Sequence, residues 1–276
     1  KDQQISGDFL DSQLIRTSLS ADEIIIHTYD VLESTNTTLG NMALEGAGEW
    51  TVVTANKQSA GRGRYKRIWH SGPGKGLYFS FLLRPSTPPR YFYLINLFTA
   101  LQLADFLSEQ LNLSGCRKKV DMKWPNDIYV EGKKLCGILL EGSLISNKIG
   151  SLIIGIGINV AHLEEDWPEE LKANATSLKQ ICPSDWCREE LLAGFMNLFY
   201  KKFYQQFPHK MDDIVQLYWE KVMNQHQEIR VRTAGKDVIG FFTGLTREGY
   251  MRLSVDGAEQ VIATGELFPG LPQRDL

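Results

Sequence analysis

Lys123-Trp124-Pro125-Asn126-Asp127-Ile128-Tyr129-Val130-Glu131-Gly132-Lys133-Lys134-Leu135-Cys136-Gly137-Ile138-Leu139-Leu140-Glu141 reads as two strands folded back on each other. Apolar and β-branched residues flank Glu131-Gly132, which sits where a two-residue hairpin loop belongs. In that register Val130 faces Lys133, Tyr129 faces Lys134 and Ile128 faces Leu135, so Asp127 and Lys134 share one sheet face as diagonal neighbours. Pro125 excludes helical backbone at Trp124 and predicts an extended segment presenting Lys123, Asn126 and Asp127 in turn. A carboxylate and an ammonium on one face ordinarily make a cross-strand ion pair. Beside further cations, the same two groups suit a metal and an anionic substrate.

Working outward, Val120–Trp124 precedes the hairpin and Gly150–Val160 follows it, with Ser146-Asn147 as a second turn, giving an antiparallel meander. Upstream, Tyr91–Leu111 has the apolar spacing of a long buried helix. Leu77–Arg84 is a strand broken by Pro85, Pro88 and Pro89, and Val52–Ala55 and Glu23–Tyr29 are further strands. Ser34-Thr35-Asn36 opens a helical stretch ending at Glu45-Gly46. Residues 1–22, with Leu10, Leu14, Ile15 and Leu19 near helical spacing, suit a lead-in helix or linker. Downstream, residues 187–222 form a helical block whose stripe is Leu191, Phe195, Leu198, Phe199 and Phe203. From Gln227 short strands follow, with Gly235, Gly244, Gly249 and Gly257 as turns, as in a small β-barrel-like module.

The chain of 276 residues is 43% hydrophobic and 23% charged, which excludes disordered and fibrous classes. Its net charge of -3 hides an uneven distribution. Residues 50–104 hold eight basic groups (Lys57, Arg62, Arg64, Lys66, Arg67, Lys75, Arg84 and Arg90) and no acidic one, leaving a net charge of -11 on the remainder. Such an island points to an anionic ligand or to a solvated basic face. The four cysteines, Cys116, Cys136, Cys182 and Cys187, lack zinc-site spacing and read as reduced thiols of a cytoplasmic protein. The start, Lys1–Gly7, has no apolar run behind its positive charge, so no signal peptide is expected, and no window approaches the length of a membrane span.

Familiar nucleotide signatures fail. No Gly-Lys pair is followed by Ser or Thr, which excludes a P-loop, and Gly155-Ile156-Gly157 lacks the third glycine of a dinucleotide fingerprint. The stretch 56–76 is too rich in glycine for a helix or strand and reads as a long, mobile loop. Within it, Gly61-Arg62-Gly63-Arg64 lets backbone N–H groups and guanidinium forks close around phosphate or carboxylate. Trp69 offers a stacking surface for a base, and Gln58 a hydrogen-bonding amide. Ser34-Thr35-Asn36 is equally a helix N-cap or a polar grip for a small ligand.

Five ordered motifs together resemble the biotin protein ligase family: Glu33–Asn36, Gln58–Arg64, Lys123–Asp127, Lys133–Glu141 and Gly155–Val160. One departure is the segment Arg64–Trp69, with Tyr65 and Ile68 where members often carry Gly or Arg and Lys. The resemblance implies an α+β fold whose mixed, largely antiparallel sheet is like that of class II aminoacyl-tRNA synthetases. It implies a 1–22 linker, a 23–224 catalytic domain and a 225–276 SH3-like C-terminal barrel. The implied reaction is activation of biotin by ATP and Mg²⁺ to biotinyl-5'-AMP, then transfer to a lysine of a biotin carboxyl carrier protein domain of a biotin-dependent carboxylase.

By motif position, Ser34, Thr35, Asn36, Gln58, Arg62, Gly63, Arg64, Lys134 and Gly137 would bind biotin. Arg67, Trp69, Asn126 and Asn159 would bind ATP and the adenylate, and Asp127 would hold the metal. Lys134, Arg64, Lys123 and Asp127 would be the catalytic set. Either Asp127 or a phosphate oxygen would take the proton of the acceptor amine. An edge of the central sheet would suit an edge-to-edge homodimer. Neither a membrane nor a DNA-binding domain within the chain is expected. The rivals are a lipoate or octanoate ligase of the same superfamily and a nucleic-acid-binding regulator.

Overall fold

Period-two alternation along the strands decides what each sheet face buries. The computed structural model describes residues 9–145, 148–207 and 209–269. Strands β1 (Ile25–Leu32), β2 (Thr51–Gln58), β3 (Gly76–Leu83), β4 (Val120–Lys123), β5 (Asp127–Val130), β6 (Lys133–Ile145) and β7 (Lys148–Asn159) form one mixed sheet. Its order is β1-β2-β3-β7-β6-β5-β4; β1 and β2 are parallel and all other neighbours antiparallel. Helices α1 (Ser12–Ser18), α2 (Thr35–Leu44), α3 (Phe92–Leu113), α4 (Glu169–Lys172), α5 (Leu178–Ile181), α6 (Arg188–Gln206) and α7 (Met211–Lys221) complete this part.

Val52, Phe79 and Phe81 point to the face covered by α3 and α6, where Phe81 meets Phe199 at 4.9 Å and Phe98 meets Phe199 at 5.4 Å. Val53, Leu82 and Ile153 point the other way, under Leu39 of α2. Both faces of the sheet are therefore buried along this stretch. The second sheet comprises β8 (Glu228–Thr233), β9 (Lys236–Leu245), β10 (Met251–Val255), β11 (Ala258–Ile262) and β12 (Glu266–Pro269), antiparallel in the order β11-β10-β9-β8-β12. It is tied to the first by Trp124, whose Nε1 donates to Gly249 O at 3.1 Å, and by Trp219 packed edge-on against Phe242.

Several expectations are corrected. The extended run across Pro125 is a tight turn: Asn126 N donates to Lys123 O at 3.2 Å, and the Trp124-Pro125 peptide is cis. Asn96 of α3 holds this turn from behind through Pro125 O at 2.6 Å. The hairpin keeps Val130 opposite Lys133 and Tyr129 opposite Lys134, but a bulge then sets Ile128 against Cys136 rather than Leu135. The helical block divides into α6 and α7. Gly244 lies inside β9 beside an irregularity in its pairing with β10, whereas Gly235, Gly249 and Gly257 do take turns at positive φ. The glycine-rich tract begins only after β2, at residue 59, and residues 61–69 fold back as a small hairpin. There Gly63 N donates to Arg67 O and Trp69 N to Gly61 O, both at 2.8 Å. Cys116 and Cys182 form a disulfide, so only Cys136 and Cys187 are free thiols. The turn expected at Ser146-Asn147 and the first eight residues of the 1–22 segment lie outside the described residues. Among the described residues no helix is long and apolar enough to cross a membrane.

Candidate active site

Beyond the part of the sheet that α2 covers, the same face changes from large to small side chains. Register carries the row Val53–Ser80–Gly155–Leu139 across β2, β3, β7 and β6, and the next row is Ala55–Tyr78–Gly157–Gly137–Asp127. The glycines make a floor on which two side chains rest. A Cβ on Gly157 or Gly137 would lie 2.5 or 2.8 Å from the Trp69 ring, and one on Gly155 would collide with Asn36 Oδ1. Trp69 Nε1 is buried with no hydrogen-bond partner among the described residues, an orphan donor at the edge of a cavity of about 340 Å³.

The start of α2 forms one wall. Ser34 occupies the N-cap position but makes no capping bond; its buried side chain faces the cavity. Gln58 Oε1 accepts from Thr35 N at 2.9 Å while its Nε2 donates to Ser71 Oγ at 3.1 Å, bracing the wall against the glycine-rich loop. Ser80 Oγ lies 2.6 Å from Asn36 Oδ1 and 2.7 Å from Thr35 Oγ1.

The loop arginines form the rim. Arg62 lies 3.5 Å from Glu141, Arg67 pairs with Glu266 at 2.5 Å, and Arg64 donates to Asn126 Oδ1, Gly265 O and Thr264 Oγ1. Among the described residues the hydrogen-bond acceptors of Arg64 are neutral, so none of them cancels its charge. Opposite, Lys134 Nζ lies 2.8 Å from Asp127 Oδ1 and 5.3 Å from the Trp69 ring centre. Lys123 rests over Tyr129 at 5.4 Å; burial lowers its pKa, Asp127 works against that shift, and Lys134 adds to it. Burial, reinforced by Asp127, raises the Tyr129 phenol and keeps it protonated.

The connection from β7 to α6 closes the far side. Lys134 N donates to Asn174 O at 2.7 Å, Thr176 N donates to Lys134 O at 3.0 Å, and Asn159 Nδ2 donates to Thr176 O at 3.0 Å. His162 stacks on Trp167 at 4.2 Å, and burial lowers its pKa to about 4.

All fifteen residues singled out from the motifs line this one cavity: Ser34, Thr35, Asn36, Gln58, Arg62, Gly63, Arg64, Arg67, Trp69, Lys123, Asn126, Asp127, Lys134, Gly137 and Asn159. Trp167, Leu171, Asn174 and the Gly265–Leu267 segment line it too and were not foreseen. Nothing in their local sequence marks them, because only tertiary packing brings β12 to the loop. Gly155 and Gly157 were visible as a motif, but their use as a floor depends on register across three strands.

Residues 28–159 match the biotin/lipoate A/B protein ligase family. The chain is 33% identical over 256 residues to the bifunctional ligase/repressor BirA of Bacillus subtilis, covering 93% of this chain and 77% of that protein. It is 26% identical to the biotin--[acetyl-CoA-carboxylase] ligase of Mycobacterium tuberculosis, covering 85% of each. The biotin protein ligase of Aquifex aeolicus, solved in complex with biotin and ATP, superposes with a TM-score of 0.74 at 28% identity over 88% of this chain and 97% of that one. With its motif residues gathered around one cavity and these relatives spanning nearly its whole length, the chain belongs to the biotin protein ligase family.

Proposed function

We propose that the cavity activates biotin with ATP to biotinyl-5'-AMP and then passes the biotinyl group to a lysine of a biotin carboxyl carrier protein domain. The observation that carries this reading is the charge of the lining: Arg62, Arg64, Arg67, Lys123 and Lys134 against only Asp127 and Glu266. In the first step the biotin carboxylate attacks the α-phosphorus, the bond to the β-phosphate breaks and pyrophosphate leaves. Two anions must meet, and unscreened cations at the meeting point lower that barrier by several kcal/mol. Arg64, whose acceptors among the described residues are neutral, and Lys134, which faces the Asp127 carboxylate, would supply that charge.

Ser34, Thr35, Asn36, Gln58 and Gly137 would hold the biotin end, while Trp69, Asn126, Asn159 and Arg67 would hold the adenylate. In the second step the acceptor amine attacks the acyl carbon and AMP leaves, its proton going to Asp127 or a phosphate oxygen. The donor set fits a magnesium ion carried in on the nucleotide phosphates: the lining offers one carboxylate beside the Lys123–Asn126 turn, and no cluster of three metal-binding side chains occurs among the described residues. Asp127 would hold that ion, which would offset phosphate charge.

We assign residues 225–276 to an SH3-like barrel and residues 23–224 to a catalytic domain with a class II synthetase-like sheet. Support comes from the five antiparallel strands that begin after α7 and from the mixed order of the large sheet. The position of β1 at one end of the sheet order, with Ile25 and Val31 exposed, supports edge-to-edge dimerisation.

Biotin-dependent exchange of labelled pyrophosphate into ATP, followed by addition of a carrier domain, tests the activity. Exchange that depends on biotin, and attachment of biotin to the carrier, are expected. Exchange that needs lipoate and ignores biotin would overturn the reading.

A further inference from the structure

Glu141 lies on β6 behind the wall formed by α2. It is not part of the cavity lining, yet it touches two residues that are. Its Oε2 accepts from Asn36 Nδ2 at 2.7 Å, and its Oε1 lies 3.5 Å from Arg62 Nη2. A carboxylate only accepts hydrogen bonds, so it decides which end of the Asn36 amide turns toward it. Nδ2 is drawn to Glu141 and to Leu139 O at 3.3 Å, leaving Oδ1 over Gly155, where Ser80 Oγ meets it. Arg62 is held a second time by Thr37 Oγ1 at 3.1 Å, above the first turn of α2. One side chain thus joins the rigid wall to the first arginine of the glycine-rich loop.

We infer that Glu141 is a positioning residue for the biotin end of the site, fixing the Asn36 amide and latching Arg62 so that wall and loop hold one ligand together. This rests on the biotin-activating function proposed above and adds a residue to it. The nucleotide end is served by other residues, Trp69, Asn126 and Asn159, none of which contacts Glu141. Its loss therefore acts selectively on biotin.

The test is Glu141→Gln in the full chain. The change is isosteric at a side chain that is 40% exposed, so the fold has little reason to fail. Losing a charge-assisted hydrogen bond and an ion pair is expected to weaken biotin binding, measured by calorimetry without ATP, about tenfold. The KM for ATP is expected to stay within about twofold, a split that a general structural defect would not give. In a cycle with Arg62→Ala, the losses in biotin affinity are expected to be less than additive, because both changes cut the same latch. A wild-type chain that binds biotin, with a variant that binds it equally well, overturns the assignment alone. Equal losses for biotin and ATP, or strictly additive losses in the cycle, overturn it as well. A wild-type chain that does not bind biotin overturns the functional reading and this assignment together.

Discussion

At Gly157 the Trp69 ring fills the space that a Cβ would take, so a weak sequence motif becomes part of the cavity lining. An alanine methyl at this position would sit 2.5 Å from a ring carbon, so Trp69 would have to leave its seat over Gly137 and Gly157. Stacking of a base on an aromatic ring is worth about 1–3 kcal/mol, so with Trp69 as the proposed platform Gly157→Ala is expected to raise the KM for ATP roughly 5- to 150-fold. Steady-state exchange kinetics at saturating biotin would check it, with circular dichroism confirming that the sheet persists. Local reading did reach the Asp127–Lys134 contact, although Asp127 lies past a bulge and stands opposite Gly137, one residue beyond the register that the two-residue turn predicts. It stopped at the bulge, which moves Ile128 from Leu135 to Cys136 without disturbing the pairs nearer the turn. The glycine floor was out of reach for a different reason: it exists only after β3, β7 and β6 have been placed side by side.

Elements carry their own signals, and the quality of each signal follows its physical origin. Long periodic segments such as α3 and the strands β2, β3 and β7 were legible because burial on both sheet faces demands sustained apolar runs. Turn chemistry was less legible. The Lys123–Asp127 segment satisfied the rule for a residue before proline and still closed into a turn. The β7–α6 connection gave almost no signal, yet it clamps Lys134 and Asn159 and stacks Trp167 against His162. Its stability is expected to depend on pH. The folded His162 titrates near 4 against 6.5 for the free side chain, because burial disfavours its charge. As pH falls below 6.5, the unfolded chain takes up a proton that the folded chain refuses until about pH 4, so stability is lost across that window. The loss amounts to about 3 kcal/mol at the acid end. His162→Phe keeps a ring against Trp167 and removes the titration. Urea unfolding of the two proteins at pH 7 and pH 4 should therefore show a smaller drop for the variant.

At the scale of the molecule, the acid-free span between Glu49 and Asp105 divides into two jobs that the sequence presents as one. Arg62, Arg64 and Arg67 face the cavity, where together with Lys123 and Lys134 they outnumber the carboxylates of the lining and focus positive potential on its mouth. Arg84 instead points into backbone: its guanidinium donates to Gly150 O at 2.9 Å, Ala47 O at 2.9 Å and Ala43 O at 3.2 Å, tying the end of α2 to β7. Lys75 pairs with Asp166, and Arg90 lies over the ring of Tyr91. The two groups therefore respond differently to truncation. Arg84→Ala removes a donor from three carbonyls and is expected to cost about 2 kcal/mol of stability in denaturant unfolding, with the constants for biotin and ATP unchanged. Arg64→Ala removes charge from the place where, in the proposed reaction, two anions would meet. It is expected to lower kcat/KM for exchange at least about 100-fold while leaving the unfolding midpoint near that of the parent. If both variants lost activity and stability in parallel, the division of the island into a field and a brace would be wrong. A double dissociation would show that one stretch of like charge serves the reaction with some of its arginines and the fold with another.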